Sequence, residues 1–438
     1  MSILNDIKVL LDIQDKNIIF EENGVYIKNY KGYMSKFVSA KLTYIPTHCE
    51  KCGVKNDHYT IYKNGTKTSH IKLPMYGSYP TYLSLKKQRF FCKACNKTFI
   101  AHTSIVDRHC FISKNTKAKI LIKSTDAQSL TDISKDCSVS TTTVQRVINK
   151  EAKRYQPYYQ SLPNHLSFDE FKYAKGKMAF EYVDAETGNI IDILDNRTSY
   201  KIKEHFIGNY ERKALNKVKT VSIDMNAGYI NVIKEVFPKA QIIIDRFHIV
   251  QLINRAMNMT RVRIMNSFRT SNNEDMKKYR RLKRYWKLLL KRRKDLSYTE
   301  YKFYPMFGQR LETSIVEELL SYSDDLKVTY DIYQSLAKCI DDRDFNRFKN
   351  TLLSIRPNTL SKQMKTAVNT LNKHLPYIKN SLKYPYNNGR IEGINNKIKV
   401  LSRVAYGYRN FNYFKNRIIL HFKLRAVVKQ KESLCSVA

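Results

Sequence analysis

Short runs of alternating apolar and polar residues occupy the middle of the chain and predict its strands. Leu166–Tyr173, Lys177–Val183 and Ile190–Leu194 read as three strands. Gly176 and Gly188 mark the turns between them, which gives an antiparallel meander. Ser199–Tyr210 has helical spacing. Two further β-rich runs follow, Val218–Ile223 and Gln241–Ile244, with a helix-like segment, Ala227–Val236, between them. Pro238 closes that helix, and another helix runs from Phe247 to Met265. A strand–helix–strand unit of this kind implies a parallel pair. Each of its two strands ends in a carboxylate, Asp224 and Asp245, and chemistry in open α/β sheets collects beyond such carboxyl ends.

The flanking text has other periods. Residues 1–44 start with a helical pattern (Ile3, Ile7, Leu10, Leu11) and continue in strand-like pieces such as Gly24–Lys28. Cys49-Glu-Lys-Cys52 and Cys92-Lys-Ala-Cys95 are two CxxC pairs about forty residues apart, enough to place four thiolates around one Zn²⁺. β-prone pieces lie between them, so the segment reads as a zinc ribbon with a structural ion; His48, His58 or His70 could replace one cysteine. Next come three short helices. Ser113 caps the first, Leu130 and Ile133 face inward on the second, and Ser140 caps a third that carries Val144, Val147 and Ile148. This is a helix-turn-helix pattern, in which the start of the last helix enters the major groove. Thr142, Thr143, Gln145 and Arg146 are its candidate base readers, and Lys150 a phosphate contact. Tyr155–Pro163 reads as a linker.

Beyond Met265 the chain is helical and basic. Met276–Asp295 interleaves Lys and Arg with aromatics, including the single tryptophan; Lys283, Arg284 and Trp286 are candidate DNA contacts. Thr313–Leu320, Asp325–Ala337 and Asp344–Ser354 are further helices. After a turn at Asn387–Gly389, Ile391, Ile394, Ile398 and Leu401 share one helix face. Glu392, Asn396, Lys399 and Arg403 share the opposite one, where Glu392 is either a site carboxylate or a solvated helix-start residue.

Charge changes the picture from fold to partner. The 438 residues carry 78 Lys+Arg against 39 Asp+Glu, a formal net charge of +39, and the counter-charge this calls for is nucleic acid. No apolar run approaches the ~18 residues of a membrane span. The start, MSILNDIKVL, does not read as a secretory signal, so the expected setting is a bacterial cytoplasm, associated with the nucleoid and with no membrane partner.

The strand order βββ-α-β-α-β-α matches the ribonuclease H-like fold, in which the first and fourth strands lie side by side. Asp169 and Asp224 would then be neighbours in space, though the residues alone do not choose between Asp224 and Asp245 as the second metal ligand. Two strand carboxylates and one from a helix can hold two Mg²⁺ (or Mn²⁺) ions roughly 4 Å apart for phosphoryl transfer.

Taken in order, the two CxxC pairs, the helix-turn-helix, Phe168-Asp-Glu-Phe, Ser222-Ile-Asp-Met-Asn-Ala-Gly-Tyr, Asp245-Arg-Phe-His, Gly389-Arg-Ile-Glu-Gly-Ile-Asn-Asn-Lys-Ile-Lys and Tyr406-Gly-Tyr-Arg-Asn-Phe resemble the DDE transposases of bacterial insertion sequences, specifically the ISL-three family. The resemblance implies that Asp169, Asp224 and Glu392 form the catalytic triad and hold the Mg²⁺ ions. It makes Asp245 and His248 accessory, and places Arg409 at a DNA-facing helix end. It also implies that the basic helical stretch interrupts the catalytic core.

The expected organisation is multidomain α/β. It comprises an N-terminal segment (1–45), a zinc ribbon (46–105) and a helix-turn-helix (110–155), followed by the first part of a ribonuclease H-like core with a mixed sheet (160–265). A helical insertion (266–380) and the rest of the core (381–438) complete it. The expected function is binding of terminal inverted repeats, strand cleavage and joining of 3′-hydroxyl ends to double-stranded target DNA, by a homodimer or higher multimer. A non-catalytic DNA-binding regulator and a nuclease that does not join strands are the alternatives.

Overall fold

The computed structural model describes residues 3–225, 228–356 and 360–435, with side chains from Asp6 to Leu424. Asn226 and Ala227, which belong to one motif above and to the start of a predicted helix, lie outside it, as does the Cys435 side chain. The chain forms two compact units: Met1–Gln156 with Lys397–Ala438, and Pro157–Asn396.

In the first unit, helix α1 (Ile3–Leu10) leads into a sheet of β1 (Ile18–Tyr30), β2 (Tyr33–Leu42), β3 (Ile61–Lys72), β4 (Thr81–Cys92) and β5 (Lys97–Ile100). The order is β1-β2-β4-β3, with β5 on β4 and the β2–β4 pair parallel. The strands on either side of the expected division at residue 45 therefore share one sheet. They also share one core, from Leu11 and Ile18 through Val38 and Leu85 to Phe99. Three helices follow, α2 (Lys114–Ser124), α3 (Leu130–Asp136) and α4 (Thr141–Ala152). Ser113, Ser129 and Ser140 cap them by accepting from the backbone N–H three residues on, where the first turn leaves donors unpaired.

The expected last segment, 381–438, is divided. From Lys397 onward the chain belongs to the first unit, and helix α17 (Phe411–Cys435) completes the helix-turn-helix core. Leu420 is fully buried with Ile120, Ile133, Val144 and Ile148. Arg417, 1% exposed, donates to the carbonyls of Asp126 and Gln128 at the turn between α2 and α3.

The second unit is built on β6 (His165–Ala174), β7 (Lys177–Asp184), β8 (Ile190–Leu194), β9 (Thr220–Ile223) and β10 (Gln241–Ile244), in the order β10-β9-β6-β7-β8. β6, β7 and β8 are an antiparallel meander, and Gly176 (φ 72°) and Gly188 (φ 75°) take the left-handed turn positions between them. β9 runs parallel to β6, and β10 parallel to β9. Helices α5 (Ser199–Asn209), α6 (Arg212–Leu215) and α7 (Tyr229–Val236) lie between the later strands in sequence. Phe168, Phe180 and Tyr182 bury one sheet face against Phe206 of α5 and Phe237. Pro238 follows the end of α7, as expected of a residue with no N–H to continue the ladder.

After α8 (Arg246–Ser267) come α9 (Asn273–Arg284), α10 (Trp286–Leu290), α11 (Glu312–Leu320), α12 (Asp324–Asp341), α13 (Phe345–Ser354), α14 (Lys362–Lys373) and α15 (Leu375–Lys383). They share a core of their own that includes Ile253, Met257, Leu319, Tyr330 and Leu371. The basic stretch Met276–Asp295 is not one helix. It breaks at Tyr285, whose ring is buried, and a short hairpin, β11 (Lys302–Tyr304) and β12 (Gly308–Arg310), follows it. Helices α16 (Gly389–Val404) and α17 (Phe411–Cys435) end the described chain. No helix among the described residues is long and apolar enough to cross a membrane.

Candidate active site

Strand register builds the site. Ser167 of β6 pairs with Ser222 of β9 in parallel, and both are buried. Two residues further along β6, Asp169 leaves the same sheet face as Ser167 because side chains alternate, and Asp224 follows directly on the end of β9. Glu170, one residue on, is spent elsewhere, on Arg197 and on the Tyr229 hydroxyl at 2.9 Å. The two carboxylates are near enough for the charge on Asp224 to raise the pKa of Asp169.

Helix α16 and the residue just before it reach the two carboxylates with amides. Asn395 Nδ2 donates to Asp169 Oδ2 at 2.7 Å, and Asn388 Nδ2 lies 3.3 Å from Asp224 Oδ1. Asn388, Glu392 and Asn395 fall at i, i+4 and i+7, one stripe of an α-helix. Glu392 thus lies on the same stripe as two residues that touch the aspartates; it is exposed and makes no ion pair among the described residues. Sequence reasoning missed Asn388 and Asn395. It read Asn388 as part of a turn and chose Asn396, which is exposed, over its neighbour.

Burial pushes the Asp169 carboxyl up to about 6; the Glu170 N–H opposes this and the nearby Asp224 adds to it. His248, in the first turn of α8, places Nε2 2.9 Å from Asp224 Oδ1, and this bond raises its pKa above 6.5 against the effect of burial. Asp245 is 5% exposed and accepts from the Phe247 N–H as the N-cap of α8; burial raises its pKa. Ligand atoms of Asp224, Asp245 and His248 all lie within 4.8 Å of one another, a group that could hold a metal ion. Asp169 and Glu392 are not in that group.

Asp224 borders two open cavities. One, of about 450 Å³, is lined by Asp169, Arg197 and Tyr229; the other, of about 1010 Å³, by His248, Gln251, Arg255 and Lys373. Carboxylate and amide oxygens suit Mg²⁺ and Mn²⁺, and Asn388 Oδ1 and Asn395 Oδ1 are buried with no hydrogen-bond partner among the described residues, as acceptors for an ion or its water would be.

In the first unit, the Sγ atoms of Cys49, Cys52, Cys92 and Cys95 lie within 4.8 Å of one another, with Cys49–Cys95 and Cys52–Cys92 both at 3.8 Å. Tetrahedral Zn–S bonds of about 2.3 Å put sulfurs about 3.8 Å apart, so the thiolates fit a structural zinc. No histidine belongs to this group; His70 packs instead against Tyr30 and Phe37.

On α4, Thr142, Arg146 and Lys150 are exposed and border a cavity with Tyr413 of α17. Thr143 is occupied at the cap, its Oγ1 3.0 Å from Ser140 Oγ. Gln145 is buried, and its amide donates to Asn149 Oδ1, which also accepts from Asn416. Lys283, Arg284, Trp286, Lys399, Arg403 and Arg409 are exposed.

Residues 166–418 match a protein-family model described as a transposase. Residues 45–95 match the zinc-finger of transposase IS204/IS1001/IS1096/IS1165, and residues 101–152 the helix-turn-helix domain of transposase family ISL3. The chain is similar to a transposase for insertion sequence element IS1001 from Bordetella parapertussis, 22% identical over 376 residues that cover 84% of this chain and 86% of that one. A 109-residue stretch, 25% of this chain, is 42% identical to a protein named ATP-dependent protease from Lactococcus lactis subsp. lactis; it spans about a third of that protein, 34%.

Proposed function

The chain belongs to the ISL3 family of DDE transposases, and from that premise we propose that it binds the terminal inverted repeats of its element, cleaves the strands there and joins the freed 3′-hydroxyls to target DNA. The observation that carries the chemistry is Asp169 within β6 beside Asp224, which follows the end of the parallel neighbour β9, with Asn395 of α16 bonded to the first, Asn388 just before α16 bonded to the second, and Glu392 between the two asparagines. We read the unit as ribonuclease H-like on the support of its strand order and directions, and residues 266–380 as a helical insertion into it.

Asp169, Asp224 and Glu392 would hold divalent ions, Mg²⁺ or Mn²⁺. When bound, such ions supply activation of the nucleophile and neutralisation of charge on the leaving oxygen. In cleavage a water oxygen bonds to phosphorus and the 3′-oxygen leaves with a proton. In joining, that 3′-hydroxyl attacks a target phosphate and displaces the 3′-oxygen of its neighbour. The protein's part is to position: Asn395 and Asn388 fix the two aspartates, and His248 holds Asp224 from the side of α8. The zinc ribbon and α4 present the DNA ends, and two ends call for a dimer or larger assembly.

The test is cleavage and joining of terminal-repeat DNA with Mg²⁺ by the wild type and by Asp169→Asn, Asp224→Asn and Glu392→Gln. Full activity in any one variant sinks the triad. Repeat binding without cleavage in the wild type favours a regulator, and cleavage without joined product a nuclease. The group formed by Asp224, Asp245 and His248 supports a second arrangement, in which Asp245 replaces Asp169 as a ligand. In that arrangement Asp245→Asn, not Asp169→Asn, abolishes metal binding.

A further inference from the structure

Strand β7 carries a carboxylate that the triad leaves unexplained. Glu181 pairs directly with Asp169 across the antiparallel β6–β7 ladder, so the two side chains leave the same sheet face about 5 Å apart at Cβ. Its alternating neighbours, Phe180 and Tyr182, point the other way, into the aromatic core with Phe168. Glu181 is 0% exposed, and neither Oε1 nor Oε2 has a hydrogen-bond partner among the described residues. Leaving a carboxyl in that condition costs several kcal/mol by general transfer energetics, which a leucine or methionine would avoid. Asn395 and Asn388, whose amide nitrogens bond Asp169 and Asp224, likewise have buried Oδ1 atoms with no hydrogen-bond partner among the described residues. All are hard oxygen donors, suited to a divalent cation or to the water it retains.

We infer that Glu181 is a fourth carboxylate of the divalent-cation centre, facing Asp169 from β7 and accepting the cation or its bound water. The inference rests on the metal-site reading of Asp169 and Asp224 above. Burial and the charge on Asp169 both raise the Glu181 pKa, as expected for an acid whose counter-charge is missing.

The experiment is Mn²⁺ binding to the zinc-loaded full chain without DNA, followed by electron paramagnetic resonance. The proteins are wild type, Asp169→Asn, Glu181→Gln and Glu181→Met. Zinc content and circular dichroism report the fold. Glu181→Met removes the buried polar group without removing volume, so it keeps the test open if the glutamine variant does not fold. Expected is a weakening of Mn²⁺ affinity by about 10- to 100-fold in every folded Glu181 variant. Unchanged affinity in a folded Glu181 variant, with affinity lost in Asp169→Asn, overturns the inference and leaves the metal site standing. Unchanged affinity in all three variants overturns the metal-site reading itself. Failure of both Glu181 variants to fold assigns the residue to packing and overturns the inference as well.

Discussion

Replacing Asp169 with asparagine should abolish DNA cleavage and, in Mg²⁺-free buffer, make the second unit more stable. The wild-type carboxyl titrates near 6 rather than at 3.8, chiefly because it is buried. Holding it ionised at pH 7.5 therefore costs about 3 kcal/mol. Asparagine removes that cost and keeps the shape. It exchanges a charge-assisted bond from Asn395 for a neutral one, a loss of about 1 kcal/mol. The net gain of about 2 kcal/mol corresponds to a melting temperature roughly 4–8 °C higher for a unit of this size.

The assay is differential scanning calorimetry at pH 7.5 with zinc retained and no chelator. The pH dependence fixes the cause. Because the folded-state pKa lies above the unfolded one, the wild type loses stability as pH rises from 3.8 to about 6 and loses no more above that. The gap between variant and wild type should be full above pH 6 and reduced at pH 5. Added Mg²⁺ should raise the wild-type transition and leave the variant unmoved. An asparagine variant that melts at or below the wild type at pH 7.5, or a gap unchanged at pH 5, refutes the reasoning.

Other perturbations follow from the same structure. Cys52→Ser breaks a four-thiolate group, and atomic absorption should find the bound zinc lost and affinity for the DNA ends reduced. Lys150→Ala should weaken binding to all sequences and lower the salt slope by about 1, whereas Arg146→Ala should weaken binding to the element's own ends more than to random DNA, both read by fluorescence anisotropy. Arg417→Met removes two bonds to carbonyls at the α2–α3 turn and should cost about 2 kcal/mol, seen as a lower melting temperature of the first unit. The Asp224 partner raises the pKa of His248, so the stability this pair contributes is present below pH 6.5 and is lost as pH rises through the higher folded value. Calorimetry of Mg²⁺-free His248→Gln against wild type from pH 6 to 8.5 should show the wild-type advantage shrinking.

What the sequence made legible was local. Strand alternation and a carboxylate at a strand end are properties of a few consecutive residues, so Asp169 and Asp224 were readable before any contact was known. The two CxxC pairs were readable for the same reason. The basic stretch misled because its partners are distant. Arg281 is spent on Glu318 and Tyr322, Arg292 on Asp341 and Tyr333, and Arg293 on Asp331, all at least 37 residues away. Part of the basic stretch is spent on internal ion pairing, and Lys283, Arg284 and Trp286 are among the residues it leaves exposed. The attachment of α17 to the helix-turn-helix was invisible because it depends on Arg417 and Leu420 meeting residues some 270 to 300 positions earlier.

Asn388, just before α16, and Asn395 on it mark where local reading ends. The face of Ile391, Ile394 and Ile398 fixes the helix rotation, since all three are buried. Asn395 lies at the border of that face and Asn396 beyond it, a rotation of about 100° apart. Either could have met the sheet; packing selected Asn395. The selection has a chemical consequence. Two carboxylates side by side repel, and the amides of Asn395 and Asn388 supply the donors that hold them before any cation arrives. A cation that binds there competes with those amides for the same oxygens. A cation bound there would therefore be coupled to the hold of α16 on the sheet, and Glu392, midway between the two asparagines, is carried by the element on which that competition would act.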